Sequence, residues 1–201
     1  LPDTDWMDVM FGTGIEQEYN LSIASNIENT NFYLSAGYLG EKGVYMDTRA
    51  DRFSFRNNIE HKFNRFVTLG ESIYGSAVKT NPATSSSIYQ HTIPFRTVPV
   101  SPVYDENGDF AMTNDKVGSG PNFAGLENAF HVFNDNNYTL NAQTYLIISF
   151  IEGLDLKITG AGEFLGFSKN TFTEFRDFGP VQVSPQRLNA DAGTMQNLMF
   201  N

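Results

Sequence analysis

Along residues 52–62 the side chains alternate between apolar and polar, Arg52-Phe-Ser-Phe-Arg-Asn-Asn-Ile-Glu-His-Lys62. The alternation resumes in Phe66-Val-Thr-Leu-Gly-Glu-Ser-Ile-Tyr74 after a tight turn at Asn64. A two-residue period places alternate side chains on opposite faces of a strand and is out of step with a helix. Folding about Asn64 predicts Phe55 opposite Ile73, Ile59 opposite Leu69 and His61 opposite Val67 on a mainly apolar face. Arg56, Asn58 and Glu60 then face Ser72, Gly70 and Thr68 on a polar one. A hairpin of the same kind precedes it from Glu16, and a third is expected over residues 137–164. In that third hairpin Leu140, Ala142, Thr144, Leu146, Ile148 and Phe150 share a face with Leu154, Leu156 and Ile158, while Asn141, Gln143, Tyr145, Asp155, Lys157 and Thr159 point the other way.

Alternation alone fits a soluble sandwich with a dry core as well as a barrel with a greasy outside. Lengths discriminate. Residues 137–150 give a strand of about 14 residues, longer than the ~5–6 common in globular sheets and sufficient for the ~9–11 of a tilted membrane strand. Short turns fall at 26–29, 62–65 and 151–153. The opposite ends carry 40–51, a stretch of roughly 60 residues over 77–136, and the tail beyond Phe164. Outer-membrane barrels have this asymmetry, with short turns on one side and long loops on the other, and Phe63, Phe66 and Phe150 beside the short turns would form an interfacial aromatic girdle.

The wording of several segments is also familiar. Thr4-Asp-Trp-Met-Asp-Val-Met-Phe11, Tyr19-Asn-Leu-Ser-Ile23 and Thr30-Asn-Phe-Tyr-Leu-Ser-Ala-Gly-Tyr-Leu39 are followed in order by Arg52-Phe-Ser-Phe-Arg56, His61-Lys-Phe-Asn64 and Pro99-Val-Ser-Pro-Val-Tyr-Asp-Glu-Asn-Gly-Asp109. Together they resemble the SusC-like (SusC/RagA) TonB-dependent outer-membrane transporters over most of the first 165 residues. The resemblance implies an all-β fold: an antiparallel transmembrane β-barrel segment, about six strands of a presumed 22-stranded barrel, with long extracellular loops. On that expectation 1–15 is an extracellular loop, 16–76 holds strands and hairpins, 77–136 is a long extracellular loop, 137–164 is a hairpin and 165–201 is an extracellular loop or tail. No signal segment opens the chain and no plug-like region precedes the first hairpin, so an excerpt of a longer polypeptide is expected.

The resemblance further implies nutrient uptake, of oligosaccharides or peptides, at the bacterial outer membrane. The implied partners are a SusD-like lipoprotein, TonB acting through parts outside this chain, the remaining barrel and plug, and outer-membrane lipid. No catalysis and no cofactor are expected. The alternative class is a secreted soluble β-sandwich that binds carbohydrate.

Composition narrows this picture modestly. The apolar share of 40% with a mean hydropathy of −0.31 suits either architecture, and no run approaches the ~18 apolar residues of a membrane helix. A formal charge of −10 argues against binding nucleic-acid phosphates. The absence of cysteine excludes disulfides and thiolate metal sites. His61, His91 and His131 have no metal-ligand spacing. Asp105-Glu-Asn-Gly-Asp109 reads as an Asn107-Gly108 turn, because its glycine is at the fourth position and not at the sixth a calcium loop needs. Gly118-Ser-Gly120 lacks the third glycine of a dinucleotide loop.

Candidate binding residues are therefore polar and aromatic side chains on the polar face, Arg56, Tyr74, Gln143 and Tyr145, and in the long loop, Tyr89, Phe95 and Tyr104. Rings stack on sugar faces and polar neighbours fix hydroxyls or amides. Asn57 and Glu71, expected directly opposite each other on the apolar face, mark a stretch of wall covered by a partner or a polar lipid group; the alternative is a bulge that turns Glu71 inward.

Overall fold

The computed structural model describes residues 1–82, 95, 97–112, 122–177, 183–184 and 186–200. A single antiparallel sheet dominates it, built in order from β1 (Ile15–Ile27), β2 (Thr30–Lys42), β3 (Arg49–Lys62), β4 (Val67–Asn81), β5 (Phe130–Ile151) and β6 (Leu154–Thr173). A two-residue ladder, β7 (Arg176–Asp177) with β8 (Val183–Ser184), stands apart, and β9 (Arg187–Phe200) completes the sheet beside β6. The short connections are built from residues suited to tight reversal. Glu28 takes φ 49° between Ile27 and Thr30, and Gly153 takes φ +84° between Ile151 and Leu154. Among the described residues no second sheet covers either face: Leu21, Leu198 and Phe200 are 78%, 76% and 84% exposed. A sandwich would interdigitate such side chains, so the sandwich alternative finds no second layer here.

The two faces are as the alternation predicts, but the β3–β4 register differs by two residues. Phe55 lies opposite Gly75, Ile59 opposite Glu71 and His61 opposite Leu69, with Arg56, Asn58 and Glu60 facing Tyr74, Ser72 and Gly70. The cause is Asn64. Its Oδ1 accepts from the backbone N–H of both Phe66 (2.7 Å) and Val67 (3.0 Å), which moves the centre of the turn one residue on, to Arg65. Moving the centre by one residue shifts every pair by two and keeps each side chain on its face. Asn57 therefore lies opposite Ile73, not Glu71, while Glu71 sits between Ile59 and Thr144. The ladder is unbroken there. Its irregularities, between Val132 and Asn134 and between Ser149 and Ile151, lie on β5, so no bulge turns Glu71 inward.

The strands also run further than expected from the pattern. β4 reaches Asn81, β5 begins at Phe130 and β6 continues to Thr173, inside regions assigned to loops. β9 replaces the expected tail. Its sequence has Thr194 as its one β-branched residue, and it is held mainly by its ladder to β6. Glycines make room for large neighbours there: the Phe167 ring lies against Gly193, where a Cβ would approach it to 2.6 Å, and Leu198 covers Gly162.

The buried core lies at the end of the sheet opposite the short turns, where the sequence suggested only loops. Helix α1 (Trp6–Met10) is one short turn, with Asp5 Oδ1 accepting from Met7 N and Asp8 N as its N-cap. A helix this short is not stable alone. Burial of Trp6 and Met10 on one face holds it, packed with Tyr45 from the β2–β3 connection and with Phe123 and Ala124 of α2 (Phe123–Ala129). Asn122 caps α2 by accepting from Gly125 N, and its Nδ2 donates to the carbonyls of Val103 (2.8 Å) and Ala111 (3.1 Å). One amide thus joins the helix to the 103–111 hairpin. In that hairpin Gly108 has φ +86° and Asp105 Oδ1 accepts from Asn107 N and Asp109 N, in keeping with a turn.

Candidate functional site

Hydrogen-bonding side chains of all seven strands align across the polar face. Successive register pairs connect Ser22, Ser35, Arg56, Tyr74, Asn141, Glu163 and Asn197 in one transverse row. The Arg56 guanidinium carbon lies 5.5 Å from the centre of the Tyr74 ring, and Asn197 Nδ2 donates to Glu163 Oε2 at 3.1 Å. One row nearer the short turns, Ser72 Oγ donates to Asn58 Oδ1 at 2.7 Å beside Gln143. In the next row Tyr145 Oη donates to Glu60 Oε2 at 2.7 Å, and Lys157 Nζ stands 4.3 Å from the centre of the same ring. The Tyr145 ring lies over Gly70, where a Cβ would clash with it.

Three of the four polar-face candidates therefore touch a neighbour on this face, and the fourth, Gln143, lines a depression together with Tyr74. That depression has a volume of ≈600 Å³ and is bordered by Tyr74, Asn141, Gln143, Glu163, Asn197 and Met199. It offers a carboxylate, amides, a phenol and a thioether, with Arg56 beside its Tyr74, which suits a ligand with both polar and apolar groups. Asn141, Glu163 and Asn197 were not singled out from the sequence. Asn141 was legible from its place between Leu140 and Ala142, whereas Asn197 needs β9, which the pattern did not reveal. Phe95 and Tyr104 belong to the core end, exposed by 68% and 56%, near Phe11 (6.4 Å between centroids) and Phe110 (5.1 Å). Tyr89 and His91 lie outside the described residues. His61 pairs with Thr30 Oγ1 at 2.7 Å and His131 with Glu174 at 3.0 Å.

The apolar face is banded. Near the core end, Tyr19, Tyr38, Phe53, Ala77 and Tyr138 form one row across five strands, with ring centroids 6.3 Å apart for Tyr19–Tyr38 and 4.8 Å for Tyr38–Phe53. At the other end, Phe63, Phe66 and Phe150 flank the short turns and are 59%, 43% and 55% exposed. From Phe53 to Phe63 the strand advances roughly 33 Å, or about 25 Å along the normal at a tilt of ~40°, the height of the apolar band of a membrane barrel. Leu21, Ile23, Leu34, Phe55, Ile59, Leu140 and Ile158 fill the interval. Asn57 and Glu71 are polar exceptions within it.

Several known proteins are similar to this chain. A TonB-dependent receptor of Formosa agariphila, P3, is 24% identical over 190 residues, 90% of this chain and 18% of its own length. The TonB-dependent receptor SusC of Bacteroides thetaiotaomicron is 24% identical over 200 residues, 88% of this chain and 20% of its own length. The chain resembles SusC-type receptors in sequence. Two solved structures of a RagAB peptide importer and transporter carry the same fold, at TM-scores of 0.74 and 0.75 and 18% identity, covering 100% and 99% of this chain and 24% and 23% of theirs. The chain spans about a fifth of the length of the curated relatives it matches. No family model matches it. The expected architecture, an antiparallel SusC-like barrel segment, is the one found, with seven strands in the sheet where about six were expected.

Proposed function

We propose that this chain forms part of the wall of an outer-membrane, TonB-dependent importer of oligosaccharides or peptides. The polar face lines the lumen, the short turns face the periplasm and the core end lies outside the cell. The observation that carries this reading is the pairing of two faces on one unlayered sheet: an apolar band about 25 Å high between aromatic rows, backed by a continuous polar row. The relatives, all receptors or importers by name, support it. In this reading the chain catalyses no reaction. It presents Arg56, Tyr74, Gln143 and Tyr145 to a passing solute, while Phe95, Tyr104 and Tyr89 belong to the outer entrance. A SusD-like lipoprotein lids that entrance, and TonB acts through a plug domain elsewhere in the polypeptide. On the outward face, Asn57 and Glu71 mark wall covered by a partner; a carboxylate facing hydrocarbon would otherwise cost up to ~2–4 kcal/mol.

Uptake of labelled oligosaccharides and peptides by cells carrying the full-length protein tests this reading. Uptake is expected to stop when TonB is removed, and to fall at least tenfold for one class with Arg56→Ala/Tyr74→Ala at unchanged protein level. Equal uptake of every solute by the variant would remove these residues from the pathway. Asn57→Leu/Glu71→Leu is expected to weaken assembly with the partner; unchanged complex on native gels would discard the covered-wall idea.

A further inference from the structure

Just beyond the aromatic row, still on the outward face, three cations converge. Lys42 ends β2 directly opposite Arg49, the first residue of β3, and Lys79 stands on β4 opposite Asp51. All three are exposed, and they occupy adjacent strands, so about 10 Å spans the group at ~4.8 Å per strand. The carboxylate of this face at these strand ends is Asp51, which already accepts from Tyr38 Oη at 2.6 Å, Arg49 Nε at 2.9 Å and the terminal Arg49 nitrogen at 3.2 Å. Glu16, Glu18 and Glu41 alternate onto the opposite face. Among the described residues Lys42 and Lys79 enter no ion pair. In a chain with 23 acidic and 13 basic residues, this patch carries three positive charges against one negative. Lys42 and Arg49, like charges directly opposed, repel unless an anion joins them.

Depth identifies the anion. Lys79 lies two residues beyond the aromatic row and Lys42 and Arg49 lie four, about 5 Å and 10 Å along the membrane normal at ~3.3 Å per residue and ~40° tilt. The headgroup layer begins where the hydrocarbon ends and is about 5–7 Å thick on each side, so Lys79 lies within it, while Lys42 and Arg49 lie just outside and their long side chains can reach back into it. We propose that Lys42, Arg49 and Lys79 form a site on the outer wall for the phosphate of an outer-leaflet lipid. Arg49 binds it through its planar fork of N–H donors, held at an edge by Asp51, while the two lysines contribute mobile ammonium groups from either side. Tyr38, through Asp51, is a positioning residue. This site rests on the membrane reading given above.

The test uses the full-length protein in detergent micelles, with native mass spectrometry counting bound lipid. The probes are bisphosphorylated lipid A, phosphatidylcholine, and inorganic phosphate as competitor. Lipid A is expected to bind at least tenfold more tightly than phosphatidylcholine. The triple variant Lys42→Gln/Arg49→Gln/Lys79→Gln is expected to lose that preference, while Arg52→Gln, on the opposite face, changes it less than twofold. A triple variant that keeps the preference, or complete displacement of lipid A by millimolar inorganic phosphate, would overturn the site. A protein that stays monodisperse without detergent would overturn the membrane reading itself; one that needs detergent but shows no preference overturns only the lipid site.

Discussion

The core end and the sheet of this chain use apolar side chains in opposite ways. At the core end Trp6 and Met10 are 3% and 0% exposed and pack around Tyr45, Phe123 and Ala124 as in a small water-soluble domain. On the sheet, side chains of the same kind, Leu21, Phe53, Leu156 and Ile158, are left open at 45–78%. The difference shows what each region meets. One end excludes water by its own packing, whereas the sheet leaves that to a surrounding phase, which is lipid in the proposed reading.

Removing the lipid is the largest test of that contrast. The 201-residue stretch alone in detergent-free water is expected to aggregate, because its apolar face and the outer edges of β1 and β9 stay uncovered. A monodisperse, β-rich preparation seen by light scattering and circular dichroism would abolish the distinction. Next, Trp6→Ala in the full-length protein is expected to cost about 3–5 kcal/mol at the core end alone. Limited proteolysis should then cut within 1–14, 43–48 and 97–129 while the strands stay protected. Cleavage of the whole sheet would show that wall and core end stand or fall together.

The wall has its own internal contrast. Ile73→Lys, in the apolar band, is expected to destabilise the barrel by ~2–4 kcal/mol, and Gln143→Lys, on the polar face of the neighbouring strand, by less than ~1 kcal/mol. Urea unfolding in lipid vesicles measures both, and equal losses would mean that the two faces are not differently solvated. The smallest expected effect returns to the core end. Burial first, then the Glu127 charge and the hydrogen bond to it, raise the Tyr45 hydroxyl above its usual range, with Oη donating to Glu127 Oε1 at 3.0 Å. A group whose folded pKa is raised stabilises fully below its unfolded value, ~10, and loses that contribution as pH climbs towards the folded one. Protease protection of the core end should therefore decline above about pH 10 in the wild type. Tyr45→Phe should begin about 1–3 kcal/mol lower and lack that decline; a variant with the wild-type alkaline profile would place the pH effect elsewhere.

Much of the polar-face site was legible before the fold. Arg56, Tyr74, Gln143 and Tyr145 each alternate with apolar neighbours, so their common face follows from the period of two. Their partners did not follow, because a turn centred one residue later than expected moved Arg56 from Ser72 to Tyr74 and separated Asn57 from Glu71. Glu163 and Asn197 came together only with β9, where small residues and methionines carry no strand signature. The core end was least legible, since Trp6, Tyr45 and Phe123 lie far apart in sequence and α1 is too short to show a period.

By itself, then, the sequence determined the central parts of β1 to β6, which face their side chains take, and a likeness to SusC-like barrels, because alternation acts over a few residues. Register, the seventh sheet strand, the aromatic row and the cluster of Lys42, Arg49 and Lys79 were decided by tertiary structure. Each depends on which strand lies beside which and at what offset, and that offset is fixed by turn length and by ladder hydrogen bonds between residues distant in the chain.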